Sequence, residues 1–228
     1  QPVAGTDIPV TVHMRQEGSG VVGALQEMIA VARALRTPVE ISHLKSIGKA
    51  NWRSCTPEML RLMAEARQEG VRIACDVYPY TAGSTQLVHV LPPETQQGGM
   101  EALTEHLADP AFRETLKARM LTGSDFENIS LLAGFENIVV SSVRLDGLRQ
   151  YEGQSIAQIA EQQGKDPFTC LFDLLQAAHC DVTMIDFIAA EDDICDILRD
   201  AHSCVISDST YPTTGMLHPR VYGTYTTL

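Results

Sequence analysis

The chain has 228 residues, with 17 Lys and Arg against 29 Asp and Glu, a formal net charge of −12, and 44% hydrophobic residues. That is enough apolar material for an ordinary globular core, and the acidic balance argues against nucleic acid, whose phosphates require clustered Lys and Arg. No apolar run reaches the about 18 residues of a membrane span, and the opening QPVAGTDIPV lacks the basic start and apolar stretch of a signal peptide, so a cytoplasmic protein is expected.

Pro9 to Met14 (PVTVHM) is short, β-branched and apolar and reads as a first strand. A Gly18-Ser19-Gly20 turn follows, and then Val21, Leu25, Met28, Ala32 and Leu35 recur at helical spacing. Val39 to His43 (VEISH) is a second strand. Thr56 before Pro57 and Glu58 marks a helix start, which Leu60 and Met63 continue until Gly70 ends it. Val71 to Val77 is a third strand. Strand, helix, strand, helix, strand is the rhythm of a parallel α/β sheet, either open and doubly wound or closed as a barrel.

The middle of the chain breaks that rhythm. Pro92, Pro93, Gly98 and Gly99 punctuate a loop, and Asp109-Pro110 opens a helix. Ile138 to Val143 reads as a strand, and helices follow near Ser155 to Gln163 and Pro167 to His179, opened by the capping residues Ser155 and Asp166. A strand-like run, Val182 to Ile188, and an acidic helix from Glu191 lead to a last strand, Cys204 to Ser207. Residues 1–228 read as part of one domain, with 84–150 an insertion or lid on a strand–helix loop. The six cysteines form no C-x-x-C pair and are expected as reduced thiols, with Cys75 and Cys204 as small hydrophobes inside strands.

His13, His43 and Asp208 each stand at the C-terminal end of an expected parallel strand, the edge at which such folds bind ligands. One histidine there is ordinarily structural. Two imidazoles and a carboxylate at equivalent positions suit a metal such as Zn²⁺ with a general base beside it.

The strings HMRQE (13–17), ISHLK (41–45), DVYPYTAGST (76–85), ISDS (206–209) and HPRVYGTY (218–225) occur in that order. Together they resemble the N-acyl-D-amino-acid deacylases, or D-aminoacylases, of the amidohydrolase superfamily. The resemblance implies a metal-dependent (β/α)8 TIM-like barrel, with His13, His43 and Asp208 closing its fifth, sixth and eighth strands. It implies zinc as cofactor, a small N-acyl-D-amino acid as substrate, and amide hydrolysis releasing a D-amino acid and a carboxylate. His13 and His43 then resemble metal ligands and Asp208 the catalytic base. Lys45, Tyr78, Ser84 and Arg220 resemble contacts to the substrate carboxylate or scissile carbonyl. Each has a plainer reading: Lys45 a solvated loop lysine, Tyr78 a core residue, Arg220 a brace for its loop.

The family pattern includes an H-x-H pair on the first barrel strand and a bridging ligand, commonly cysteine, soon after it. This chain has no H-x-H and no cysteine before His13. The expectation is a chain covering about strands five to eight plus the insertion, inactive alone, and either self-associating or pairing with a chain that carries the other half of the barrel. A dihydroorotase- or hydantoinase-like cyclic amidase is an alternative, against which YPYTAGS and HPR speak. A non-catalytic half-barrel that binds a carboxylate ligand or a partner chain is another.

Overall fold

Apolar residues alternate along the first short strands and recur every three to four positions along the helices between them, so both kinds of element bury one face against a shared core. The computed structural model describes residues 2–123, 125–209 and 215–227. In chain order it has β1 (Val10–Val12), α1 (Val21–Leu35), β2 (Val39–Ile41), α2 (Cys55–Gln68), β3 (Ile73–Val77) and β4 (Ala82–Gln86). Helices α3 (Gly99–His106), α4 (Pro110–Thr122) and α5 (Ile129–Ala133) precede β5 (Ile138–Val143). Then come α6 (Ile156–Gln163), α7 (Pro167–Ala177), β6 (Val182–Phe187), α8 (Glu191–Arg199) and β7 (Ser203–Val205).

The chain divides into two compact units. The first comprises Gln1–Thr81, Ile188–Asp208 and Pro219–Leu228. Its sheet has the order β1-β2-β3-β7, every pair parallel, as the strand–helix rhythm implies. Register places Val10 beside Val39 and Ile73, and Val12 beside Ile41 and Cys75. That face packs on Leu25 and Ile29 of α1, Met59 and Met63 of α2, and Ile194 and Ile197 of α8 in one core. Full burial of such side chains contributes about 1.5–3 kcal/mol each. Thr11, Glu40, Ala74 and Cys204 alternate with them on the other face, where Thr11 and Cys204 are exposed. Cys75 is therefore the small hydrophobe expected of it, and Cys204, exposed on the other face, is not. All six thiols are free.

The second unit comprises Ala82–Phe187 and Ser209–His218. Its sheet is antiparallel, with the order β4-β6-β5, and Ala82 pairs with Phe187 at one end of the β4–β6 ladder. The main segment of this unit extends past residue 150 to Phe187, because β6 pairs with β4 and β5. Strand β4 has the sequence AGSTQ, weak in β propensity, and it is defined by its partner. The expected caps hold: Asp166 accepts from backbone N–H groups, and Ser155 with Gln158 forms a capping box; Asp109, at the expected helix start, also accepts a backbone N–H. Helix α2 differs in detail. It begins at Cys55, and Thr56, inside the helix and buried, donates to Ser46 Oγ at 3.4 Å instead of capping.

Candidate metal centre

The C-terminal ends of β1, β2, β3 and β7 lie at one edge of the parallel sheet, and the side chains that follow them are polar. His13 follows β1 directly, His43 stands two residues beyond β2, Tyr78 directly follows β3, and Asp208 stands three residues beyond β7. His43 and Asp208 both have left-handed backbone, with φ of 40° and 45°. For residues with a Cβ this conformation is strained and collects at functional sites. At His43 it is secured by neighbours: its N–H donates to Asp76 Oδ1, and the next N–H, of Leu44, donates to the Asp76 carbonyl at 2.8 Å.

His13 Nδ1 and His43 Nε2 lie 2.9 Å apart, with ring centroids separated by 4.7 Å. Glu17 reaches the same place from the loop after β1, and its carbonyl accepts the Ile47 N–H at 2.8 Å. Glu17 Oε1 lies 2.9 Å from His43 Nδ1 and accepts from Lys45 Nζ at 2.6 Å. Among the described residues, His13, Glu17 and His43 form a group whose potential ligand atoms all lie within 4.8 Å of one another. Two imidazole nitrogens and a carboxylate oxygen are donors of the kind that zinc accepts.

The charges around this cluster interlock. Burial works against the Glu17 carboxylate, but the Lys45 ammonium and the His43 ring outweigh it and hold its pKa well below the usual carboxylate range. Lys45 is 5% exposed, and burial alone would lower its pKa; the Glu17 charge raises it instead. Burial lowers the pKa of His13, and Asp208 is among the charges that act on both His13 and Lys45. Burial, with help from Glu40, pushes Asp76 up to about 6.

Lys45 is therefore not a solvated loop lysine; it is paired inside the protein. Tyr78 is buried, with Lys45 Nζ 5.6 Å and Arg220 Cζ 4.9 Å from its ring centroid, a cation–π arrangement on both counts. Arg220, 2% exposed, donates from Nη1 to Asp208 Oδ2 at 2.9 Å. His13, His43, Lys45, Tyr78, Asp208 and Arg220 all belong to the first unit. Ser84 does not: it is buried on β4 in the second unit. Glu17 is the member that sequence reasoning passed over. Its one signal was position, an acid four residues after His13 within HMRQE.

A parallel α/β sheet with two histidines and an aspartate at its ligand edge is the arrangement implied by a resemblance to metal-dependent amidohydrolases, and comparison with known proteins bears that resemblance out. The relatives are N-acyl-D-amino-acid deacylases. A D-aminoacylase from Alcaligenes xylosoxydans xylosoxydans is 46% identical over 76 residues, 33% of this chain and 15% of that protein. An N-acyl-D-glutamate deacylase from the same organism is 26% identical over 216 residues, 95% of this chain and 34% of that protein. The crystal structure of N-acyl-D-glutamate deacylase from Bordetella bronchiseptica, complexed with zinc and a phosphonate mimic of the tetrahedral intermediate, has a TM-score of 0.66 at 24% identity, covering 95% of this chain and 35% of that one. A D-aminoacylase structure has a TM-score of 0.65 at 25% identity, with the same two coverages. No protein-family profile matches. The chain spans about a third of the length of these full-coverage relatives.

Proposed function

We propose that this chain carries the two-histidine, general-base and carboxylate-recognition part of a zinc-dependent N-acyl-D-amino-acid deacylase, its four parallel strands corresponding to strands five to eight of a (β/α)8 barrel. The observation that carries this reading is the approach of His13 Nδ1 to within 2.9 Å of His43 Nε2, on the sheet edge that also bears Asp208. His13 and His43 would hold the zinc. When bound, zinc supplies Lewis acidity toward the scissile carbonyl and toward water. Asp208 would accept a proton from the attacking water and return it to the departing amine nitrogen as the C–N bond breaks. Arg220, bonded to Asp208 Oδ2, orients that carboxylate. Arg220, Lys45 and Tyr78 would form the cationic and hydroxyl surroundings of the substrate carboxylate.

Two imidazoles leave zinc under-coordinated, so the isolated chain should bind it weakly and turn over no substrate. The test uses the 228-residue chain alone and mixed with a separately expressed polypeptide corresponding to the preceding part of a relative. Zinc binding to the chain should disappear in His13→Ala and His43→Ala. The mixture should hydrolyse an N-acetyl-D-amino acid in preference to its L enantiomer. Asp208→Asn should cut that rate roughly 10²–10⁴-fold at unchanged zinc content. Zinc binding that survives the loss of both histidines would refute the proposal, as would full turnover with Asn at position 208.

A further inference from the structure

The carboxylate of Glu17 lies close enough to His13 and His43 to count as a third ligand, yet its contacts give it a different task. We propose that Glu17 is a positioning residue: it fixes His43 as the tautomer that carries its proton on Nδ1, so that the Nε2 lone pair faces His13. The proposal rests, for its consequence, on the reading of His13 and His43 as zinc ligands. The ring of His43 has two nitrogens with two different neighbours. Nε2 faces His13 Nδ1 at 2.9 Å, and Nδ1 faces Glu17 Oε1 at 2.9 Å. A carboxylate that also receives Lys45 Nζ, at 2.6 Å, is an acceptor, so the hydrogen between Glu17 and His43 belongs to the imidazole.

Lys45 Nζ also lies 3.0 Å from His43 Nδ1, but an ammonium and a protonated ring nitrogen are both donors and cannot bond one another. Both are aimed at Glu17 Oε1. Both neighbours are anchored: the main-chain carbonyl of Glu17 accepts from the Ile47 N–H, and Lys45 Nζ is tied back to the His43 carbonyl at 3.1 Å. Carboxylate, histidine and metal in that order is the arrangement by which outer carboxylates orient a ligand ring and raise its basicity, and losing one weakens metal binding roughly 10–100-fold.

The experiment reads the histidine tautomers of the metal-free chain by long-range ¹H–¹⁵N NMR and, separately, zinc affinity by competition with a chelator. In the unaltered protein His43 should show the Nδ1–H form. In Glu17→Ala it should shift toward the Nε2–H form, with zinc affinity falling roughly 10–100-fold. Glu17→Gln, which keeps an acceptor oxygen, should recover part of both. Glu17→Ala leaves Lys45 buried without this partner and can unfold the chain, so Glu17→Ala/Lys45→Met removes both charges together and should give the same tautomer shift. An Nε2–H form of His43 in the unaltered protein overturns the proposal. So does complete loss of zinc in Glu17→Gln with an unchanged tautomer, which would make Glu17 a ligand. Because the tautomer is read without metal or substrate, it decides the claim even if zinc binding at the two histidines fails.

Discussion

His43 takes a left-handed backbone and delivers its N–H to the buried Asp76 carboxylate, so one contact ties the end of β3 to the strained residue after β2. Asp76→Ala should leave that N–H without its acceptor and destabilise the fold by about 1–3 kcal/mol, read from the denaturant midpoint. A midpoint within error of the unaltered protein would show that His43 holds its conformation unaided. Cys75, next to it, faces the helix side of the sheet, and burial pushes its thiol up to about 12. At pH 8 it should resist iodoacetamide in the folded chain and react after denaturation, as followed by peptide mass spectrometry. The strand-end placement of His13, His43 and Asp208 was legible because apolar runs mark strands and polar residues mark where they stop. The burial of Glu17 was not legible, since it depends on Lys45 returning from a different loop.

Among the elements, the best-signalled helices were those with polar caps. Ser155 and Asp166 sit before apolar runs and Asp109 before Pro110, and each accepts a backbone N–H as its position implies. Strand β4 carried no such signal, because small and polar residues form it by pairing with β6. Helix α7 offers a test by pH. Burial works against the Asp173 carboxylate, but Lys165 and Arg113 hold its pKa below the ordinary range. A carboxyl whose folded pKa is depressed adds stability that is fully present above its unfolded pKa, about 3.9, and is lost as pH falls through the lower folded value. The stability lead of the unaltered chain over Asp173→Asn should therefore be constant near neutrality and shrink below about pH 4. A lead that grows on acidification would contradict the pairing.

At the scale of the whole molecule, the parallel rhythm of the first unit was readable from sequence, and the far limit of the second was not. The run Val182 to Phe187 has the composition of any half-buried strand, and nothing local states which sheet takes it. The two ends of the second unit's main segment have a geometry of their own. The second unit's main segment opens at Ala82 and closes at Phe187, and these two residues are paired neighbours. On the other side Thr81 O accepts the N–H groups of Ile188 and Ala189, at 3.2 and 3.0 Å. The main segment thus begins and ends on neighbouring residues, as the two strands of a hairpin do. A version with 83–186 replaced by a short Gly-rich turn should keep the His13–His43 pair and its tautomer signature, while the excised 82–187 segment should give its own dispersed NMR spectrum. Collapse of the shortened chain to an unfolded spectrum would show the two parts to be inseparable. If they are separable, the segment is a cassette: it can lengthen, diverge or be exchanged between relatives without re-threading the strands that hold the histidines.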